Sequence, residues 1–177
     1  AAHVLKTLVQ RQPALQGQVD EVILGATNQA GEDNRNVARM ALLLAGFPYE
    51  VTGYTVNRLC GSGMEAVHNA VRAIATGERD CVLAGGVESM TRAPFVLAKS
   101  AEAWDRTPPA MFDTSLGWRF SNPAMAHRFP LESMGETAEN VAALHGISRE
   151  AQDQFALESH RRAARAWRDA AFQQELV

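Results

Sequence analysis

The sequence predicts an α/β fold in which parallel strands are joined by crossover helices. Three short apolar runs, at residues 21–25, 53–59 and 81–84, alternate with three segments whose apolar residues recur at helical spacing. The resulting order is α-β-α-β-α-β, and a helix between successive strands is how parallel neighbours are connected. The second and third runs lead into Cys60 and Gly85-Gly86. Ligands on parallel sheets bind at the carboxyl ends of strands, so both places are candidate sites.

Residues 2–12 form the first helix, with Val4, Leu5, Leu8 and Val9 on one face and Pro13 as its stop. Glu21-Val22-Ile23-Leu24-Gly25 reads as a buried strand. Residues 30–36 are polar and contain Gly31, so they form a loop. Residues 36–45 are helical, with Val37, Met40, Ala41 and Leu44 as the apolar stripe and Gly46 and Pro48 as stop signals. Residues 53–59 are the strand that delivers Cys60. The helix after it carries Met64, Val67, Val71 and Ile74 on its apolar face. Glu65, His68, Asn69, Arg72 and Thr76 lie on its other face, and Gly77 ends it. Residues 81–84 are a strand with Cys81 inside it as core filler, closed by a turn at Gly85-Gly86.

From residue 91 to about 130 the periodicity fails. Pro94, Pro108, Pro109, Pro123 and Pro130 punctuate this stretch, with Trp104, Trp118 and Phe120 between them. A long irregular segment in a compact domain is often functional, and the aromatic content argues against disorder. Ser133 and Glu136 then form a capping box for a helix that carries Val141 and Leu144 and ends near Gly146. Ser148 caps a second helix with Phe155, Ala156, Ala163 and Trp167. Glu158 and Asp169 interleave with Arg161, Arg162, Arg165 and Arg168, which marks a solvated face and not a basic patch. Glu175-Leu176-Val177 resembles the start of a strand.

Composition narrows the function. Hydrophobic residues make up 46% and charged residues 21% of the 177, ordinary values for a globular chain. A net charge of −3 argues against a general nucleic-acid surface. No apolar run approaches roughly 18 residues, so no membrane helix is expected. The first residues lack the basic and apolar regions of a signal peptide. The two cysteines, Cys60 and Cys81, form no CxxC pair and no metal-type cluster, so the sequence predicts no metal and a reducing, cytoplasmic setting.

The run Asn57-Arg58-Leu59-Cys60-Gly61-Ser62-Gly63-Met64 is the centre of the chain. It sets Cys60 at a strand-to-helix elbow. A thiolate is the attacking form of cysteine, and a helix N-terminus stabilises it through unpaired N–H groups and the helix dipole. Gly61 and Gly63 have no Cβ, so the turn can be sharp and a substrate can come close to the backbone. These residues alone leave a second reading open, in which Cys60 is a small buried hydrophobe.

Three motifs carry a resemblance. Val56-Asn57-Arg58-Leu59-Cys60-Gly61-Ser62-Gly63-Met64 resembles the N-terminal active-site signature of thiolases. Ala84-Gly85-Gly86-Val87-Glu88-Ser89-Met90-Thr91 and Ser133-Met134-Gly135-Glu136-Thr137-Ala138-Glu139-Asn140-Val141-Ala142 are similar to two further thiolase motifs, in the family's order. Residues 29–39 and Gly117-Trp118-Arg119-Phe120 look most like the β-ketoadipyl-CoA and related degradative thiolases. The resemblance implies the first half of a thiolase subunit: α-β-α layers around a mixed, mainly parallel sheet, with an inserted loop domain. Residues 1–90 would be the core without its opening strand, 91–146 the loop domain over coenzyme A, and 147–177 the return helix and the start of the last core strand.

Thiolases exchange acyl groups between thioesters by making or breaking a carbon–carbon bond at a β-ketoacyl-CoA. By resemblance, Cys60 carries the acyl group, and its backbone N–H contributes to an oxyanion hole. Met134 matches a methionine near the pantetheine. Ser133 stands where acetoacetyl-specific biosynthetic members often have His, which leans towards a degradative enzyme over a biosynthetic acetyl-CoA acetyltransferase. Gly85-Gly86 is a structural turn beside the nucleophile. His3, His68, His127, His145 and His160 match no family motif. Substrates would be acyl-CoA and CoA, with no permanently bound cofactor. The subunit would form a homodimer through the strand leading to Cys60, or a homotetramer.

The resemblance also implies what a complete subunit needs beyond these residues. Neither the Gly-His-Pro histidine nor the Cys-x-Gly-Gly-Gly cysteine occurs in the 177 residues. The chain is therefore expected to be a fragment or part of a larger subunit, and on its own a non-catalytic piece that binds CoA or a partner. The opening strand is expected in the middle of the sheet, so that its absence opens strand edges there. A related ketoacyl synthase is disfavoured by the motifs at residues 84–91 and 133–142.

Overall fold

The computed structural model describes residues 1–177, which divide into two compact units, 1–119 and 120–177. In the first unit, β1 (Glu21–Gly25), β2 (Thr52–Val56) and β3 (Val82–Gly86) form a parallel sheet in the order β2-β1-β3. The central strand is the most apolar one, because both its faces are covered: Val22 and Ile23 are fully buried. Gly25 lies opposite Val56 on one side and Gly86 on the other, so the three carboxyl ends share one edge. The expected gap at the middle of the sheet does not exist, because β1 is hydrogen-bonded directly to both neighbours.

Alternation along β1 sends its side chains into two layers. Val22 and Leu24 pack with Leu5 of α1 (Ala2–Arg11) and with Ala38, Ala41 and Leu42 of α2 (Val37–Leu44). Ile23 packs with Ala66 and Ala70 of α3 (Ser62–Ala75). Side chains such as Ile23 and Leu42 contribute about 1.5–3 kcal/mol each through burial. Asn36 starts α2 by accepting the Arg39 N–H at 3.2 Å, and Gly46 follows its end at φ +89°.

Several expectations are corrected here. In α3 the buried face is Ser62, Ala66 and Ala70, while Met64, Val67, Val71 and Ile74 are exposed. Small residues let the helix lie close to the sheet, and the larger stripe faces away from it. In α1 only Leu5 is buried, while Val4 and Leu8 are exposed. Gly85 and Gly86 are the last two residues of β3, not a turn after it, and Cys81 precedes that strand. The irregular stretch contains an antiparallel pair, β4 (Phe95–Leu97) and β5 (Met111–Asp113).

The second unit holds α4 (Pro123–Arg128), α5 (Met134–His145) and α6 (Arg149–Arg168). The Ser133–Glu136 capping box forms, Gly146 closes α5 at φ +62°, and Ser148 caps α6. Along α6, Arg149–Asp153 and Arg162–Glu158 are i,i+4 ion pairs at 2.8 and 2.9 Å, consistent with a solvated face. Residues 169–175 are turns and no strand forms at 175–177, because no strand of the chain pairs with it. No helix is long and apolar enough to cross a membrane.

Candidate active site

β2 stops at Val56 and α3 starts at Ser62, earlier than the run 53–59 suggests. Cys60 therefore sits in a turn of residues 57–61 and is exposed, which removes the reading of a buried hydrophobe. Side chains at both ends of the turn hold it. The Asn57 Oδ1 accepts the Leu59 N–H at 3.0 Å. The Ser62 hydroxyl accepts the Arg58 N–H at 2.8 Å and donates to the Leu59 carbonyl at 2.5 Å. Ser62 is buried, so this exchange also satisfies a polar group removed from water.

The conformational strain falls on Leu59, at φ +48°, and not on the glycines. Gly61 caps α3 at φ −86°, and a Cβ on Gly63 would meet nothing within 4 Å. Gly25 is the residue that backbone contact demands. A Cβ there would stand 2.5 Å from the Ser62 carbonyl oxygen, and one on Gly86 would stand 3.3 Å from the Gly25 oxygen and 3.6 Å from the Gly63 Cα. Gly25, and to a lesser degree Gly86, thus let the start of α3 settle onto the carboxyl ends of β1 and β3.

Charges around the turn are paired. Glu65, in the first turn of α3, accepts from Arg58 and from Arg72, the latter at 3.0 Å. The Arg58 hydrogen bond, and then that of Arg72, hold the Glu65 carboxyl below its ordinary range. Glu88 follows β3 and accepts the Asn28 N–H at 3.1 Å, the Thr27 N–H at 2.8 Å and the Thr27 hydroxyl. Burial raises the Glu88 carboxyl, but the Thr27 and Asn28 hydrogen bonds and the Arg119 charge outweigh it, so it too is lowered.

The remaining candidates take no part in these hydrogen bonds. Ser133 and Met134 belong to the second unit at the start of α5. The Ser133 hydroxyl accepts the Glu136 N–H at 3.3 Å, a capping role, and Met134 is 72% exposed. All five histidines are exposed. Cys81 is partly buried against the first core cluster, and its N–H donates to Asp20 at 2.9 Å. No group of His, Cys, Asp or Glu is placed to hold a metal ion. A cleft of about 700 Å³ lies between α1, residues 45–48 and the starts of β1 and β2, at the amino ends of the strands and away from Cys60. Sequence reasoning missed Gly25, Asn57, Ser62 and Glu88. Asn57 had a local signal, an Asn two residues before a chain reversal. The partners of Glu88 are 60 and 61 residues away and leave none.

Residues 1–177 match the family described as "Thiolase, N-terminal domain". The chain is 57% identical over 178 residues to the 3-oxoadipyl-CoA/3-oxo-5,6-dehydrosuberyl-CoA thiolase of Escherichia coli (strain K12), covering 100% of this chain and 44% of that protein. It is 54% identical over 178 residues to the Beta-ketoadipyl-CoA thiolase of Pseudomonas putida, with the same coverage. Its backbone superposes on the crystal structure of the Bacillus anthracis acetyl-CoA acetyltransferase with a TM-score of 0.85 at 38% identity, over 98% of this chain and 42% of that one. The chain thus spans less than half the length of these relatives.

Proposed function

The chain belongs to the thiolase family, and on that premise we propose that it is the nucleophile-bearing half of a degradative thiolase subunit. The exposed Cys60 beside the start of α3 is the observation that carries this reading. The Cys60 thiolate attacks the ketone carbon of a β-ketoacyl-CoA, and the carbon–carbon bond breaks. The acyl group stays on sulfur, and the departing carbon takes a proton to give acetyl-CoA. The thiol of a second CoA then takes the acyl group and frees the thiolate. A thiolate serves because it both attacks and leaves readily. The backbone N–H of Cys60 stabilises the oxyanion.

The proton transfers fall to a histidine and a second cysteine in the other half of the subunit, since neither of their motifs occurs in these 177 residues. CoA thioesters are the substrates, with no permanently bound cofactor, and Met134 lies along the CoA path. Relatives named for 3-oxoadipyl-CoA and β-ketoadipyl-CoA favour an acyl chain ending in a second carboxylate. The outer edge of β2 has no strand partner in this chain, which supports assembly as a homodimer or homotetramer. The test is thiolysis by the full-length subunit. It is expected to prefer 3-oxoadipyl-CoA to acetoacetyl-CoA and to lose turnover in Cys60→Ala. A preference for acetoacetyl-CoA would support a biosynthetic acetyl-CoA acetyltransferase instead.

A further inference from the structure

We propose that Glu88 is a positioning residue for Cys60 and acts through Thr27 and Asn57, an inference that rests on Cys60 being the nucleophile. Thr27 follows β1, Asn57 follows β2 and Glu88 follows β3, each within two residues of its strand's end. The strands are parallel and in register, so these three residues meet at one edge of the sheet. The Glu88 carboxylate faces three donors, the N–H groups of Thr27 and Asn28 and the Thr27 hydroxyl. A carboxylate only accepts, so all three donors suit it, and the Arg119 charge acts on it as well.

Those bonds fix the direction of the Thr27 carbonyl, which accepts from the Asn57 Nδ2 at 3.1 Å. The Asn57 amide is thereby oriented, and its Oδ1 meets the Leu59 N–H at 3.0 Å. Leu59 holds φ +48°, and Cys60 is the next residue. The same loop is braced from its other side. The buried Asn28 side chain donates to the Thr114 carbonyl at 3.2 Å and the Thr114 hydroxyl at 3.0 Å, and that hydroxyl donates to the Pro94 carbonyl at 2.7 Å. A continuous path therefore runs from a carboxylate to the backbone that aims the nucleophile, without touching the sulfur.

Glu88→Gln, Asn57→Ala and the double variant of the full-length subunit test the path. Thiolysis kinetics are read beside the rate at which iodoacetamide alkylates Cys60, counted apart from Cys81 by peptide mass, with thermal unfolding as the check on folding. Each single variant is expected to lose roughly 10- to 100-fold in kcat with KM within about twofold. Each is expected to change the Cys60 alkylation rate by about threefold or more. The double variant is expected to be no worse than the worse single, because both residues act along one path. Glu88→Asp keeps the charge but shortens the reach, and falls between. Folded variants with kcat and alkylation rates within about twofold of the parent would overturn the proposal, as would losses that multiply in the double. If Glu88→Gln does not fold, Asn57→Ala at an exposed position decides by the same measures. A parent with no thiolysis would sink the acyltransferase reading, and the alkylation rates would still score the path.

Discussion

The end of β1 touches the first turn of α3 backbone to backbone at Gly25 and Ser62: a Cβ on Gly25 would stand 2.5 Å from the Ser62 carbonyl oxygen. No side chain can move aside there, so Gly25→Ala must push α3 off the sheet. The expected cost is about 3 kcal/mol, a fall in Tm of roughly 6–12 °C. Gly63→Ala has open space for its methyl and a helical backbone, so its stability should match or slightly exceed the parent. Thermal unfolding of both variants checks the contrast.

Leu59 carries the left-handed conformation of the cysteine turn and is 71% exposed, so its side chain gains little from burial. Leu59→Asn should therefore be neutral or stabilising, since Asn tolerates this region. Leu59→Ile should cost about 1–2 kcal/mol, because a β-branched side chain crowds the backbone there. Equal effects of the two in chemical unfolding would contradict this assignment of strain.

Where signals were local, the sequence was a sufficient guide. β1, the Ser133 and Ser148 caps and the end of α5 at Gly146 all stand where their residues suggest. The errors arise where the answer depends on a neighbour. Periodicity shows that Met64, Val67, Val71 and Ile74 share a face of α3, but only the packing shows that Ala66 and Ala70 meet the sheet. Gly85-Gly86 looks like a turn by composition, yet it ends a strand, and Gly86 lies against the Gly25 carbonyl and the Gly63 Cα. At the candidate site, the place of Cys60 between a strand and a helix was legible from its motif. The Glu88–Thr27 and Asn57–Thr27 bonds join segments 30 residues apart or more and have no trace in a single window, unlike the local Asn57–Leu59 bond.

Asp20 ties the amino ends of two strands, accepting the Asp80 and Cys81 N–H groups at 2.8 and 2.9 Å. The Cys81 bond and then the Asp80 bond hold its carboxyl below the ordinary value of 3.8, with burial opposing and Arg79 assisting. A carboxyl lowered on folding contributes stability that is fully present above the ordinary value and is lost as pH falls through the folded one. Stability should thus decline as pH drops from about 5 to 3. Asp20→Asn should be less stable at pH 7 and decline less steeply, as urea unfolding across that range would show.

Ser133 and Met134 are adjacent but should separate in their effects. Ser133→Ala removes the α5 cap and should cost about 1 kcal/mol, seen as faster amide exchange in the first turn of α5. Met134→Ala, at an exposed position, should change stability by less than about 0.5 kcal/mol. On the reading that Met134 lies along the CoA path, it should raise KM for CoA. An unchanged KM would remove Met134 from the site.

On the proposed reading, Cys60 carries the acyl group. Intact mass and peptide mapping of the full-length subunit after brief exposure to acetyl-CoA test it most directly. One acetyl group is expected on Cys60, and none in Cys60→Ala. No adduct on the folded parent, or an adduct that persists in Cys60→Ala, would contradict it.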